Sequence, residues 1–286
     1  MPDAELRPIG IFDSGVGGLS ILQEIRRELP HEDLHYLADS AHCPYGARSA
    51  KEIRDLTTQA AAFLVAQGCK LIAIACNTAS ATSLAHLRDT FSLPIVGLEP
   101  ALKPAVQLTR NGRVGVLATE VTLRGEPLRR LREQYGAGVE VVAVPCPGLV
   151  ELVEAGTTEG YEVETLLAEC LAPIIAADVD TLVLGCTHYP FVSRSIAAQF
   201  PAGVRIVDSG EAVARQVRHL LESERDLRVA SSPGAVRAFT TGDPGTFAVQ
   251  VTRLLGWCPP VRDVVRSGGA WVEPPGRLGS VLFRGA

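Results

Sequence analysis

LIAIACNTAS, at residues 71–80, joins a short apolar run to a cysteine and then to small polar residues. The pattern returns at residues 181–190 as TLVLGCTHYP. Apolar runs of this length are typical of strands in a parallel sheet that helices cover on both faces. Ligands of such sheets bind at the carboxyl ends of the strands. The sequence therefore predicts that Cys76 and Cys186 lie at two equivalent strand ends.

Strand-like runs alternate with helical patterns along most of the chain, which is typical of α/β folds with mainly parallel sheets. The first part predicts strands over residues 8–12, 34–37 and 71–75, and helices over residues 19–28, 50–67 and 80–90. Asn77, Thr78 and Ser80 follow the first cysteine and are candidate caps of the third helix. We expect helices to flank each sheet.

Three landmarks of the first half recur in the same order in the second half. The strand at Gly10, the proline loop at Pro44 and the cysteine strand have counterparts at Gly115, Pro147 and Cys186. Only two copies exist, and each is about the size of a domain. The repeat therefore predicts two similar α/β domains, related by a pseudo-twofold axis, with the active site in the cleft between them.

The part of the chain after residue 208 has no counterpart in the second copy. We expect it to return and complete the first domain, which we place at residues 1–98 plus 209–256. The second domain is predicted at residues 99–208. Residues 257–286 are rich in proline and glycine, and we expect this C-terminal tail to pack on the first domain or to be partly disordered.

The composition argues against several classes of protein. The net charge of -5 disfavours a general nucleic-acid surface. No run reaches the roughly 18 apolar residues of a membrane span, and residues 1–8 are too polar for a signal peptide. The seven cysteines form no CxxC pair, so we expect free thiols. The prediction is a cytoplasmic protein with a small-molecule ligand and neither a nucleic-acid nor a membrane partner.

Two thiols at related strand ends can approach one bound carbon from opposite sides, as proton exchange between the faces of a stereocentre requires. The pattern therefore predicts a racemase with Cys76 and Cys186 as catalytic residues. A free thiol has a pKa of about 8.5 and is a weak base for this task. We expect helix amino termini behind both cysteines to lower the pKa of the thiols and, with Asn77, Thr78 and Thr187, to bind a carboxylate.

The other cysteines have a simpler interpretation. A buried cysteine is often only a small hydrophobic residue. We expect that role for Cys69, Cys170 and Cys258, because none of them shares the repeated placement at a strand end.

Polar residues near the two cysteines are further candidates. His188 lies two residues after Cys186 and could act as its proton partner or orient a substrate carboxyl group. Asp13 ends the first strand, where it could assist Cys76 or only cap the next helix. Ser14 follows and could contact the ligand.

A second loop lies at the same predicted sheet edge. Tyr45 and Gly46 could close over a small ligand there. Asp39 and Glu99 could support the site, and an exposed surface position is an equal alternative for each of these acids.

Three other functions are compatible with parts of the sequence. GVGGLS at residues 15–20, with Asp39 further on, resembles a dinucleotide fingerprint, although its third position is serine and both cysteine loops stay unexplained. A two-lobed binding protein without catalytic activity is another hypothesis. Metal binding by Cys186 and His188 is the weakest of the three hypotheses, because no second ligand pair has suitable spacing.

Several motifs together resemble one family. They are DSGVGG at residues 13–18, ADS at 38–40, PYG at 44–46, CNTAS at 76–80, GCTHYP at 185–190 and VDS at 207–209. With these motifs the chain resembles the glutamate racemases of the cofactor-independent aspartate/glutamate racemase superfamily over most of its length.

The resemblance implies a two-base interconversion of L-glutamate and D-glutamate. Cys76 would take the proton from D-glutamate and Cys186 from L-glutamate, with Asp13 supporting the first cysteine and His188 the second. The substrate contacts that it implies are Asp13, Ser14, Tyr45, Gly46, Asn77, Thr78, Thr187 and His188. Thr119 is a further candidate contact, although residues 118–126 depart from the usual family pattern.

The resemblance also implies a biological role. The family supplies D-glutamate for bacterial peptidoglycan without pyridoxal phosphate, metal or nucleotide, and homodimers are common in it. We therefore expect no cofactor, no metal and a homodimer. Aspartate racemase is the nearest alternative.

Overall fold

The computed structural model describes residues 6–200 and 204–274. The strands are β1 (Ile9–Asp13), β2 (Leu34–Ala38), β3 (Leu71–Ile74), β4 (Ile95–Gly97), β5 (Arg113–Ala118), β6 (Glu140–Pro145), β7 (Thr181–Gly185), β8 (Arg205–Val207), β9 (Val236–Thr240), β10 (Val261–Asp263), β11 (Val265–Ser267) and β12 (Ala270–Val272). The α-helices are α1 (Leu19–Glu28), α2 (Ala50–Ala66), α3 (Asn77–Thr90), α4 (Leu102–Leu108), α5 (Glu120–Arg124), α6 (Glu126–Tyr135), α7 (Leu149–Glu154), α8 (Tyr161–Ala176), α9 (Ser193–Ala198), α10 (Gly210–Glu224) and α11 (Pro244–Leu255).

The larger sheet has the strand order β10-β9-β2-β1-β3-β4 within the described ranges. All of its pairs are parallel. β9 and β10 follow the smaller sheet in sequence and bring the chain back beside β2. β10 belongs to the predicted tail, of which residues 275–286 lie outside the described residues. The limits of the two domains, at residues 1–98 plus 209–256 and at residues 99–208, remain a prediction.

The smaller sheet repeats the topology of the larger one. Its order is β6-β5-β7-β8, again with parallel pairs. The order β2-β1-β3-β4 in the larger sheet is the same arrangement one repeat earlier. The predicted α/β class with mainly parallel, helix-flanked sheets is confirmed, and β3 and β7 occupy equivalent positions.

The central strands of the two sheets have the composition of buried parallel strands. Every residue of β1, β2, β3 and β7 is buried. Helices cover these strands, and their amphipathic faces supply much of the core. Because the faces of the sheets are covered, the carboxyl ends of the strands are where polar side chains can meet a ligand. Among the residues described, no helix combines the length and apolar character needed to cross a lipid bilayer.

A buried ion pair supports the larger sheet. The Lys70 Nζ lies 2.8 Å from the Glu32 Oε2, and both side chains are almost completely buried. We expect Lys70→Met to lower the free energy of unfolding by about 3–5 kcal/mol, because the Glu32 carboxylate loses a buried cation. Lys51→Met removes an exposed pair with Asp55 and should change stability by less than about 1 kcal/mol. Urea unfolding of both variants measures the difference, and equal stabilities would contradict this assignment.

Candidate active site

A cavity of about 200 Å³ lies where the carboxyl ends of the two sheets face each other. Its lining includes ten of the residues singled out from the sequence: Ser14, Tyr45, Gly46, Cys76, Asn77, Thr78, Thr119, Cys186, Thr187 and His188. The larger sheet and the smaller sheet each contribute one cysteine, and these are only 6% and 7% exposed. Two thiols from equivalent strands therefore share one small, sheltered space.

Cys76 is itself the cap of the helix that follows it. Its Sγ accepts a hydrogen bond from the Ala79 N–H at 3.5 Å, and α3 begins at Asn77. The prediction of a helix from Ser80 with other caps was wrong, because Cys76 already has the extended backbone of a cap residue (φ -135°, ψ 119°). The Ser80 Oγ instead donates to the Ile74 carbonyl at 3.0 Å.

Asp13 lies beneath the cavity rather than in its lining. Its Oδ1 accepts hydrogen bonds from the Ser14 N–H at 2.7 Å and the Ser14 hydroxyl at 3.4 Å. Its Oδ2 accepts from the Gly18 N–H and, at 3.4 Å, from the Thr187 hydroxyl. The Ser14 Oγ is also 3.7 Å from the Cys76 Sγ. Asp13 thus holds the loop before α1 and reaches Cys76 through Ser14.

The electrostatics around Cys76 differ from the expectation. Burial raises the pKa of the Cys76 thiol, and the nearby Asp13 carboxylate raises it further, while the Ala79 N–H and Ser14 oppose both effects. The expected lowering of this pKa by the helix terminus was wrong, because one N–H cannot offset complete burial. Burial also raises the pKa of Asp13. The raised pKa therefore favours the thiol over the thiolate at Cys76.

Cys186 has a different environment. The helix amino terminus expected directly behind it is absent from the described chain, which has a 3-10 turn at Tyr189–Val192 before the short helix α9. The His188 Nδ1 lies 3.7 Å from the Cys186 Sγ instead. The proton partner predicted from the sequence spacing is thus in contact with this cysteine.

Glu154 completes this side of the site and was missed by the sequence analysis. Its Oε1 lies 2.6 Å from the His188 Nε2 and accepts the Val16 N–H at 2.8 Å. Burial alone would lower the pKa of His188, but hydrogen bonds with Cys186, Cys43 and Glu154 outweigh it and raise the pKa well above its usual value. Burial would likewise raise the pKa of Glu154, and His188 lowers it. Both shifts favour an imidazolium paired with a carboxylate.

The remaining predicted contacts also line the cavity. The Tyr45 hydroxyl donates to the buried Asp39 at 2.7 Å, so Asp39 fixes a lining side chain. The Thr119 and Thr78 hydroxyls are 3.0 Å apart and join the two sides of the cavity. Glu99 is exposed and pairs with Arg130. Of the two positions predicted for this residue, the structure shows the one on the surface.

The glycine-rich loop is filled by protein groups where a dinucleotide fingerprint would hold phosphate. A methyl group on Gly15 would overlap the Glu154 Oε1 and lie 2.9 Å from the Cys43 Sγ. On Gly17 it would overlap the His188 ring and lie 2.7 Å from the Thr187 Oγ1. These glycines allow side chains from the second repeat to approach the loop, so the geometry does not favour dinucleotide binding.

The lining suggests how an anionic ligand is held. Lysine and arginine do not occur among the described residues that line the cavity. The first two residues of α3, Asn77 and Thr78, line the cavity together with Thr187, and they offer backbone N–H, amide and hydroxyl donors. A carboxylate can therefore bind to neutral donors and a helix dipole, with one thiol on each side.

The family profile of Asp/Glu/Hydantoin racemases matches residues 9–217. The chain belongs to this racemase family. A glutamate racemase of Deinococcus radiodurans is 54% identical over 239 residues, which cover 83% of this chain and 82% of that protein.

Solved structures of this racemase family have the same fold. The glutamate racemase of Bacillus anthracis matches with a TM-score of 0.85 and 32% identity, covering 93% of this chain and 99% of that one. The Escherichia coli glutamate racemase, solved with L-glutamate and the activator UDP-MurNAc-Ala, matches with a TM-score of 0.80, 34% identity and the same coverage.

Proposed function

We propose that this racemase interconverts L-glutamate and D-glutamate through Cys76 and Cys186. The single observation that carries the proposal is that these cysteines follow equivalent strands of two sheets with one topology and line the same cavity. The high identity with glutamate racemases supports glutamate as the substrate.

Proton transfer follows from this arrangement. One cysteine, as thiolate, takes the α-proton, and the other, as thiol, donates a proton to the opposite face of the same carbon. The reaction ends with the protonation states of the two thiols exchanged, and solvent restores them. Following the family resemblance, Cys186 takes the proton from L-glutamate and Cys76 takes it from D-glutamate.

The two sides of the site have different supporting groups. The imidazolium of His188, held by Glu154, can stabilise a thiolate at Cys186 and donate a proton when it is needed. On the other side, Ser14 links Cys76 to Asp13. The raised pKa of Cys76 favours the thiol, which is the state required to protonate the intermediate formed from L-glutamate.

The negative charge that develops on the substrate carboxyl group needs donors in a water-poor space. We assign this task to the N–H groups at the start of α3 and to the side chains of Asn77, Thr78 and Thr187. Ser14, Tyr45, Gly46 and Thr119 shape the rest of the cavity. Asp13 does not line the cavity and acts as a positioning residue through Ser14.

The proposed biological role is supply of D-glutamate for bacterial peptidoglycan in the cytoplasm. We propose that the reaction proceeds without an added cofactor and that the protein is a homodimer. Sedimentation of the purified chain across a range of concentrations tests the dimer.

Optical rotation tests the substrate. We expect reduced, metal-stripped protein to bring the rotation of L-glutamate to zero and to leave L-aspartate unchanged. Loss of rotation with aspartate alone would make the protein an aspartate racemase. Binding of glutamate without any loss of rotation would identify a two-lobed binding protein.

Glu154 gives a prediction for a positioning residue. We expect Glu154→Gln to lower kcat at least about tenfold, since acid–base groups contribute roughly 10²–10⁴-fold. Because His188 keeps its proton only below its raised pKa, loss of the Glu154 charge should move the alkaline limb of the kcat/KM profile to lower pH. Glu133→Gln, which removes an exposed partner of Arg129, is the matched control. An unshifted profile in Glu154→Gln would contradict this role.

A further inference from the structure

Three side chains that can bind a metal ion meet beside the candidate active site. The Cys43 Sγ, a Glu154 carboxylate oxygen and a His188 ring nitrogen all lie within 4.8 Å of one another. The Cys43 Sγ is 3.4 Å from the Glu154 Oε1, and that oxygen is 2.6 Å from the His188 Nε2. Thiolate, carboxylate and imidazole are the ligands of protein zinc sites. The mixture of donors favours zinc over calcium or magnesium, which prefer oxygen alone.

A second cavity, of about 350 Å³, reaches two members of this cluster, whereas His188 lines the substrate cavity. Cys43 and Glu154 line the second cavity but not the substrate cavity. Glu151 and Asp243 add two carboxylates to its wall, and clustered negative charge raises the local concentration of cations. A dication can therefore reach Cys43 and Glu154 from a cavity that neither catalytic cysteine lines.

The distances between the donor atoms are close to those between the ligand atoms of a bound zinc ion. Ligand distances of about 2.0–2.3 Å around a tetrahedral ion place the ligand atoms roughly 3.3–3.8 Å apart. The sulfur–oxygen distance already lies in this range, and the oxygen–nitrogen hydrogen bond must lengthen by roughly 1 Å or less. Water from the second cavity can fill the fourth position. Binding releases the Cys43 thiol proton and the His188 Nε2 proton to solvent.

We propose that Cys43, Glu154 and His188 form an inhibitory zinc site. Zinc on the His188 Nε2 replaces the hydrogen bond to Glu154 and fixes the imidazole as a metal ligand. The ring keeps the Nδ1 proton that faces Cys186 but is no longer an imidazolium that can readily give up a proton, and racemisation stops. The inhibition rests on the proposed function of His188, whereas the metal binding does not.

A cobalt titration tests the binding without an activity assay. Cobalt(II) occupies zinc sites, and a thiolate ligand gives it a sulfur-to-metal charge-transfer absorption. We expect the reduced, chelator-treated full chain to bind one equivalent with this absorption, and zinc to displace it. Cys43→Ala should lose the absorption. Cys258→Ala, which removes a half-buried thiol elsewhere, should keep it.

Inhibition by zinc is the second measurement. Relative to each variant's own activity, Cys43→Ala should raise the half-inhibiting zinc concentration at least about tenfold. Cys43→Ser preserves the side-chain volume and replaces the alanine variant if that variant fails to fold.

Two results would overturn the site. One is a cobalt absorption that persists in Cys43→Ala and disappears in Cys76→Ala or Cys186→Ala, because the metal would then be on the catalytic thiols. The other is equal zinc sensitivity of Cys43→Ala and the parent protein. Cobalt binding that depends on Cys43 in a protein without racemase activity would leave the site standing and reject the proposed function.

Discussion

We expect Cys76→Ala and Cys186→Ala each to lower kcat for racemisation by about 10⁴-fold in both directions, the upper end of the contribution of a positioned acid or base. Each direction needs one cysteine as base and the other as acid, so neither variant retains a complete route. The two cysteines are almost completely buried, and each replacement by alanine removes only one sulfur atom. The fold should therefore survive. Optical rotation from each enantiomer measures the loss, and circular dichroism checks the fold.

Cys258→Ala is the matched control for these variants. Cys258 is half-buried, and its Sγ donates to the Pro259 carbonyl at 3.3 Å. Its replacement should leave kcat within about a factor of two, as for a substitution remote from the site. A Cys76→Ala or Cys186→Ala protein that still racemises at a comparable rate would contradict the two-base proposal.

Asp13→Asn has the second largest expected effect, a fall in kcat of about 10²-fold or more, within the range for acid–base groups. Each carboxylate oxygen of Asp13 accepts one backbone N–H and one hydroxyl, so a backbone donor faces each oxygen. An asparagine must turn its own NH₂ toward one of these backbone donors, which leaves a buried donor unpaired at a cost of about 1–3 kcal/mol. The loop then shifts, and Ser14 no longer holds Cys76. Steady-state kinetics and urea unfolding measure the two effects.

Asp243→Asn controls for the change of charge. Asp243 caps α11 and accepts the Thr246 N–H at 2.7 Å, and asparagine is an equally good cap. Activity and stability should both be retained. If Asp13→Asn kept full activity, Asp13 would be a capping residue only, which is the simpler of the two interpretations of its position.

The sequence predicted the fold well because two strong patterns agreed. Apolar runs fixed the strands, and the repeat of Gly10, Pro44 and Cys76 predicted a duplication that the strand order of the two sheets now displays. The same repeat singled out the two cysteines of the cavity. Strand ends in a parallel sheet meet at one edge, so local patterns were enough to bring these residues together.

Side-chain partners that depend on the packing of separate helices could not be predicted in this way. Glu154 is one of 32 acidic residues and lies at the end of a short helix with no distinctive motif. Its meeting with His188 depends on how α7 packs against the glycine loop at residues 15–18. Cys43 was missed for the same reason, since its neighbours come from another part of the chain.

Burial explains the error in the predicted pKa of Cys76. A cysteine next to a helix start suggested a lowered pKa, but a sequence does not give the depth of a thiol below the surface. At Cys76 desolvation outweighs one weak N–H contact. At Cys186 the predicted helix is a 3-10 turn, and a histidine contact takes its place.

Racemisation of L-glutamate in deuterated water tests the central claim most directly. Two bases predict that D-glutamate formed in the first turnovers carries solvent deuterium at the α-carbon, because the donating thiol has exchanged with solvent. The L-glutamate that remains should still carry its original proton at this early time. Early D-glutamate that retains the substrate's own proton would show that one base serves both faces, and would contradict the proposed roles of Cys76 and Cys186.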